Sequence, residues 1–504
     1  MRSCVRSALY CTGTFSLIST LVFLVFTTRT FFFDTRDQDP VVVGRNAGVS
    51  TLNLLNGFKH SKVMLGSLVL KSTVTSPSGP PTLRLNIPKD KLKLVGRGEN
   101  IQAGEQQVHI TTAIYYKDYP LKPGFNVFLN GWARHNDSMD FKCCFFSSLP
   151  EADSQGVTVT EVAARMYNVY RQWIVDMQNA EFSCSVSTAA NATLQFRYVT
   201  FVKLTCRDIK DKVMRIEMPE VIPKSVGVCL KVTYGKVNPE KMVEWFEFMK
   251  LMKVTRVFTY YFDVEPEVLR VLQYYNKTGF LDLLLIHPAK SRYGKDRGFR
   301  HPRYSEQAFV DEVMAVNDCK HRMSRFDYVV IMDIDEFILP KGNITTYYDL
   351  FKLASNRFPK AGGFQVDSYV VMTSWGATRD SPLHFSRYTN RTLEANYDGA
   401  HRNTRWVFIP QRTFYARNNY VYTRSGFNIA VLPHDISILF HYRNCKRQWV
   451  TCNNSTRVTD DIVVKYESRL VKNISRMTLT HLLYKSTDYI KHLRDWHSKH
   501  KTQT

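Results

Sequence analysis

From Pro223 onward the apolar and polar positions follow two alternating rhythms. VGVCLKV (226–232), RVFTYYF (256–262), LDLLLI (281–286) and FDYVVIM (326–332) are short, nearly continuous apolar runs. That is the pattern of strands buried on both faces. Between them the spacing becomes helical. Asn238 is placed to cap a helix with Pro239 at its first position, and Met242, Trp245, Phe246 and Met249 then recur at i, i+3, i+4, i+7. Residues 266–275 suit a second helix closed by Gly279, and Ser305 is placed to cap a third carrying Phe309, Val313 and Val316. This alternation predicts an α/β fold with a mainly parallel sheet, in which a ligand sits at the carboxyl ends of the strands.

The first half of the chain reads differently. VHITTAIYY (108–116), FNVFLNGWA (125–133), FKCCFF (141–146) and LQFRYVTFVKL (194–204) read as strands, divided by Pro, Gly and Asn. The stretch 159–177 has no clear period. Residues 105–220 are therefore expected to form a small β-rich accessory domain before the α/β domain of 221–504. Residues 29–104, rich in Ser, Thr, Gly and Pro, read as a polar stem. Ahead of it, Ser7–Thr28 contains no charged residue and follows Arg2 and Arg6. Its length suits a membrane-spanning helix of about 20 residues better than the ~7–15 residue core of a cleaved signal peptide, and no A-x-A site follows. The expected order is a cytoplasmic tail (1–6), a signal anchor (7–28), a stem, an accessory domain and a catalytic head.

The 504 residues carry 68 Lys and Arg against 45 Asp and Glu, a net charge of +23. Such a balance suits nucleic acid, an anionic membrane or an anionic substrate. Asn-x-Ser/Thr sequons at Asn136, Asn191, Asn276, Asn343, Asn390, Asn453, Asn454 and Asn473 all lie beyond the anchor. Eight of the 10 Cys do too: Cys143, Cys144, Cys184, Cys206, Cys229, Cys319, Cys445 and Cys452. Both features point to a secretory lumen, where disulfides form and where nucleic acid is a poor partner. The neighbours Cys143 and Cys144 would need different partners.

The fourth apolar run ends directly in Asp333-Ile334-Asp335-Glu336. Two acids, one residue apart, delivered by a buried strand at its carboxyl end can hold Mg²⁺ or Mn²⁺, and such a metal neutralises a departing diphosphate. Haloacid dehalogenase-type phosphatases also place Asp-x-Asp after a strand. They want Thr or Val two residues after the second acid, where this chain has Phe337, and they use the first strand of the domain.

CLKVTYGK (229–236), EWFEFMKLMKVTRVFTYYFD (244–263), NDCKHRMSRFDYVVIMDIDEFILP (317–340) and LFHYRNC (439–445) resemble glycosyltransferase family 92. The resemblance spans about 220 to 495 and implies a GT-A-type, Rossmann-like catalytic domain. It also implies a UDP-sugar donor, UDP-galactose in characterised members, a divalent metal such as Mn²⁺, and inverting transfer that leaves a β-galactoside. The acceptor it suggests is a glycan or glycoprotein, with fucose on N-glycans as one possibility. Together with the anchor it implies a single-pass type II Golgi membrane protein with a luminal head. On this reading Asp333 and Asp335 form the metal and donor site, with Glu336 beside it. His441, leaving the apolar run ISILF, is the third metal ligand, and His434 is its competitor. Tyr234 or Tyr260 stacks on uracil, Asp263 accepts a hydrogen bond from it, Asp318 and Arg322 lie on the nucleoside side, and Arg443 contacts diphosphate. Asp367 and Asp435 are the candidates for the general base that inverting transfer needs. The basic segment 287–304 is a candidate lid over the diphosphate. The competing expectation is an inactive luminal protein that binds glycans or serves a structural role.

Overall fold

A computed structural model describes residues 81–87, 92–104, 108–116, 124–134, 140–149, 157–170, 177–186, 196–286, 306–395, 404–418, 420–445, 455–477 and 487–500. All lie within one compact unit, Ala47–Thr504. The expected anchor and the basic segment 287–304 fall outside the described residues. Among those described, no helix is long and apolar enough to cross a membrane.

Among the described residues, eleven strands precede the α/β part. They are β1 (Thr82–Leu85), β2 (Lys93–Leu94), β3 (Ile101–Ala103), β4 (Val108–Tyr116), β5 (Phe125–Arg134), β6 (Phe141–Phe146), β7 (Val157–Ala163), β8 (Arg165–Tyr170), β9 (Met177–Val186), β10 (Tyr198–Lys203) and β11 (Lys212–Arg215). One sheet runs β1-β7-β6-β10-β11-β2 and the other β3-β4-β5-β9-β8. Their core includes Phe125, Phe141, Phe145, Phe182 and Phe201, and each such ring contributes ~1.5–3 kcal/mol when fully buried. Disulfides Cys143–Cys184 and Cys144–Cys206 brace this layer, so the adjacent cysteines do take different partners. The stretch 159–177, which shows no period, supplies most of β7 and all of β8. The stem assigned to 29–104 is too long. Its last part is folded, because Thr82–Leu85 pairs with Val157–Thr160 and Ile101–Ala103 pairs with Val108–Ile110. Strands this short, set among Pro and Gly, leave little periodic signal.

The second half builds a seven-stranded sheet. Its strands are β12 (Val226–Gly235), β13 (Arg256–Val264), β14 (Leu281–Leu285), β15 (Tyr328–Ile331), β17 (Ala361–Val366), β20 (Arg405–Phe408) and β23 (Asn428–Val431). The order is β14-β13-β12-β15-β20-β17-β23. The first four strands are parallel, and β20 runs antiparallel to both β15 and β17. Among the described residues, helices α1 (Pro239–Leu251), α2 (Pro266–Lys277), α3 (Glu306–Arg322) and α4 (Tyr347–Arg357) connect strands, and α5 (His384–Arg387), α6 (Val464–Arg476) and α7 (Thr487–His500) follow. Asn238 caps α1 by accepting from Lys241 N at 2.9 Å. The pattern predicts one buried face on α1, yet Val243, Glu244, Glu247 and Phe248 are buried as well. Phe248 packs on Phe385 and Tyr466, so α5 and α6 cover the face that would otherwise meet water.

On the other face of the sheet, α3 is held between the α/β sheet and the β3-β4-β5-β9-β8 sheet. Cys229–Cys319 ties β12 to α3. Asp318, fully buried, accepts from Thr112, Asn130, Tyr260 and Arg322. His321 stacks on Phe128 at 4.2 Å and meets Glu181 at 3.1 Å. Buried charges survive only when paired, so this polar seam requires both layers.

Loop residues 96–99 reach the edge strand of the α/β sheet. Arg97 pairs with Asp282 on β14 at 3.0 Å. Gly98 has φ +86, and a Cβ there would come within 2.4 Å of the Leu285 carbonyl.

Candidate active site

β15 ends at Ile331, and the chain turns through Asp333–Asp335 into β16 (Glu336–Pro340). The turn is closed by Glu336 N donating to Asp333 O at 3.2 Å. β16 opens a smaller sheet, β16-β24-β18-β19-β25, with β18 (Ser368–Met372), β19 (Asn390–Thr392), β24 (Ser437–Arg443) and β25 (Arg457–Thr459). Glu336 is register partner to His441 on β24. Strand pairing therefore brings a histidine about a hundred residues away beside the acids.

The two aspartates have different surroundings. Asp333 is gripped by Lys231 Nζ at 2.8 Å and Arg405 Nη2 at 2.9 Å. Burial works against its ionisation, but Lys231 and Arg405 outweigh that and hold the carboxyl well below its usual range. Lys231 arrives there through a β-bulge: the β12 register shifts between Cys229 and Val232, and Lys231 has φ 55. A bulge re-aims a side chain at a cost in strain. Lys231 also meets Glu312 of α3 at 3.5 Å.

Asp335 is partly exposed and lies 3.4 Å from His441 Nε2, while Glu336 Oε1 lies 3.3 Å from His441 Nδ1. The Glu336 Oε2 atom is taken by Arg405 and by the Asp333 N–H. His441 and Glu336 are fully buried, yet both ring nitrogens and Glu336 Oε1 have no hydrogen-bond partner among the described residues. Ligand atoms of Asp335, Glu336 and His441 all lie within 4.8 Å of one another. Three orphaned or exposed N and O donors, held by a buried scaffold, fit a small divalent cation. Asp335 and His441 Nε2 are the direct ligands this set offers, with Glu336 fixing the other face of the imidazole.

The site opens into a cavity of about 700 Å³ lined by residues from the end of β12, α1, the acidic turn, α5 and β24. Lys236, Lys241 and Arg443 supply positive charge to its wall. Tyr234 donates to Glu312 at 3.3 Å. His384 lines the wall, and burial, then Lys241 and Arg387, push its imidazole down to about 3. Glu244 sits beneath it, accepting the backbone N–H groups of His384 and Phe385.

Of the residues singled out from sequence, Asp333, Asp335, Tyr234 and Arg443 line this cavity, and His441 stands beside Asp335. The others do not converge on it. Asp333 was expected to share the metal; it is instead neutralised by two cations, and Glu336 takes its place in the cluster. Tyr260, expected on uracil, is fully buried with its hydroxyl on Asp318. Asp318 and Arg322 belong to the seam under the accessory sheet, where Arg322 also pairs with Glu217. They face that way because α3 turns this side toward β4 and β5, away from the cavity. Asp263 is exposed at the end of β13 and does not line the cavity. Asp367 accepts from Gln365 and pairs with His434 at 3.0 Å, and exposed Asp435 pairs with Arg357 at 2.7 Å. Both precede the parallel strands β18 and β24, whereas the cavity lies at the far ends of those strands, at Thr373 and Arg443. His434, paired with Asp367, is no competitor to His441. Lys231, Arg405, Glu312 and His384 went unrecognised. Lys231 stands within an apolar strand, and Arg405 follows the acidic turn only after four strands and two helices.

The model of glycosyltransferase family 92 matches residues 224–495, more than half of the chain. The chain belongs to glycosyltransferase family 92. The matched segment runs from just before β12 into α7, and so includes the acidic turn, His441 and the cavity. No curated protein matches the chain. Among solved structures, residues 1–349 of S. aureus TarS, in complex with UDP-GlcNAc, align with 13% identity and a TM-score of 0.24, covering 51% of this chain and 68% of that one. Membership of family 92 places the protein among the glycosyltransferases.

Proposed function

We propose that this family 92 protein transfers a sugar, galactose from UDP-galactose, onto a hydroxyl of a glycan acceptor, using a divalent cation. We further propose that it does so in the Golgi lumen, held by its N-terminal segment. The observation that carries the reading is the Asp335–Glu336–His441 cluster, whose buried ring nitrogens and Glu336 Oε1 form no hydrogen bond among the described residues, beside a cationic cavity at the carboxyl end of a parallel strand.

Asp335 and His441 would hold the cation, which when bound offsets the charge of a departing diphosphate. Lys236, Lys241 and Arg443 meet the remaining negative charge. Asp333, fixed between Lys231 and Arg405, presents a carboxylate that cannot swing, suited to accept a hydrogen bond from the donor's ribose. In the transfer the acceptor oxygen bonds to the anomeric carbon as the bond to the diphosphate oxygen breaks. The acceptor proton needs a base. His384 faces the cavity, where burial, then Lys241 and Arg387, depress it; Lys241 lines the cavity beside it, where a bound diphosphate would offset its charge. We therefore assign the proton to His384 rather than to Asp367 or Asp435.

The test is to incubate the purified protein with a panel of UDP-sugars, glycan acceptors and Mn²⁺, and to identify products and linkages by mass spectrometry. Transfer that disappears in Asp335→Ala supports the reading. Wild-type protein that turns over no UDP-sugar, or Asp335→Ala with full activity, overturns it.

A further inference from the structure

Four Asn-x-Ser/Thr sequons fall on described residues, at Asn276, Asn343, Asn390 and Asn473. Asn276 is in the last turn of α2, Asn343 in the turn between β16 and α4, and Asn473 in the last turn of α6. These three stretches are far apart in the chain, yet the fold brings them to one end of the α/β domain. Helix α1 measures how far that end is from the cavity. Lys241 and Glu244, near its start, line the cavity, whereas Lys250 and Leu251, at its end, line a separate groove of about 750 Å³. Lys241 to Lys250 is roughly 13 Å of helix. The groove wall includes Asn473, Thr345 of the Asn343 sequon, and Tyr274, two residues before Asn276. The start of α4 is pinned there, because Tyr347 N donates to Met252 O at 3.1 Å.

These three sequons are open to approach. Asn276 and Asn343 are exposed, as are their hydroxyl residues Thr278 and Thr345, and Asn473 and Ser475 are partly exposed. Adding a glycan to a sequon requires that both the amide and the hydroxyl be reached. Asn390 does not meet this condition. It lies on β19, between β18 and β25, and its hydroxyl residue Thr392 is buried. Thr392 Oγ1 accepts from Val370 N at 3.2 Å and donates to Glu394 O at 2.9 Å. Arg391 pairs with Val371, two residues before Thr373 of the cavity wall, so a glycan on Asn390 would also stand near the cavity. Among the described residues the cavity side is otherwise without sequons. The acidic turn, β12, α5, β24 and the hairpin of β21 (Thr413–Arg417) and β22 (Tyr420–Thr423) contain none. That hairpin belongs to the cavity side because Asn418 donates to Glu312, a residue of the cavity wall, at 2.6 Å.

We propose that Asn276, Asn343 and Asn473 each carry an N-linked oligosaccharide and that Asn390 carries none. The inference rests on the luminal placement proposed above. In the modification Nδ2 bonds to the anomeric carbon of the first sugar as that carbon's bond to a lipid-linked diphosphate breaks. The amide gives up one proton and the lipid diphosphate leaves. The co-reactant is the lipid-diphosphate oligosaccharide of the secretory lumen. Oligosaccharides at these three positions keep other macromolecules off the end of the domain remote from the cavity and leave the cavity end open to a bulky acceptor.

The experiment expresses the full-length chain in cultured animal cells. Purified protein is treated with peptide-N-glycosidase in heavy-oxygen water, which converts each glycosylated Asn to labelled Asp, and its peptides are read by mass spectrometry. The expected result is label at Asn276, Asn343 and Asn473 and none at Asn390. Asn276→Gln, Asn343→Gln and Asn473→Gln should each speed gel migration by one glycan step, and Asn390→Gln should not. Label at Asn390, or its absence from any of the other three while some sequon is labelled, overturns the inference and leaves the luminal placement standing. A chain labelled at no sequon overturns the inference and the luminal placement together.

Discussion

Trp132 Nε1 donates a hydrogen bond to Asp311 Oδ1 at 2.6 Å, joining β5 to α3 with both side chains buried. The residue after Asp311 is Glu312, which contacts Lys231, Tyr234 and Asn418 at the cavity. A side chain in the antiparallel layer thus sets the helix from which a cavity residue projects. Trp132→Phe should leave a buried carboxylate short of a partner and cost about 1–3 kcal/mol, read as a lower urea midpoint. Adding Asp311→Leu to Trp132→Phe should cost less than the sum of the two single changes.

Lys231 stands between two carboxylates. Lys231→Met should destabilise the fold by roughly 3–5 kcal/mol, because Glu312 then keeps only the neutral donors Tyr234 and Asn418 and Asp333 keeps Arg405 alone of its two cations. Chemical denaturation checks this, and adding Glu312→Gln should recover part of the loss.

Glu336 faces His441 Nδ1 without ligating through its occupied oxygen. Glu336→Gln should weaken Mn²⁺ binding about 10–100-fold in calorimetric titration. His441→Ala should weaken it further, since a direct ligand is lost.

His384 is the cavity base in the proposed transfer. His384→Gln should lower kcat by about 10²–10⁴-fold in a single-turnover transfer assay. Asp367→Asn and Asp435→Asn, remote from the cavity, should change it little.

Glu244 sets a pH dependence of stability. Burial raises its carboxyl to about 7 despite the N–H donors of Phe385 and His384 and the Tyr489 hydroxyl, with Glu240 adding repulsion. The folded value is above the unfolded ~4.3, so the folded chain keeps a proton that the unfolded chain releases. This contribution is fully present below about pH 4.5 and is lost as pH rises through 7. Urea midpoints compared at pH 5 and pH 8 should fall with pH for wild type, by a margin that shrinks in Glu244→Gln.

The strands of the α/β sheet were legible because β12, β13, β14 and β15 are unbroken apolar runs, and α1 because its cap and first proline are local signals. The site was legible only where its chemistry is local. Asp335 follows its strand directly, and His441 leaves an apolar run as a partner strand should. Lys231 was hidden by a bulge that no residue type announces, and Arg405 by a pairing between distant strands. Tyr260, Asp318 and Arg322 sit at plausible distances along the chain from the acidic turn, but periodicity does not say which layer each side of α3 will meet. That depends on the antiparallel sheets, whose packing on α3 has no local signature.

The loop at Arg97 and Gly98 has a consequence for solubility. β14 is the outer strand of a long sheet, and an uncovered outer strand invites the edge of another molecule to add on. Gly98 lies against the Leu285 carbonyl and Arg97 clamps Asp282, so the segment before β3 occupies the place an incoming strand would take. A shortened chain that begins after Gly98 would expose that edge and should aggregate during folding, even with every cavity residue in place.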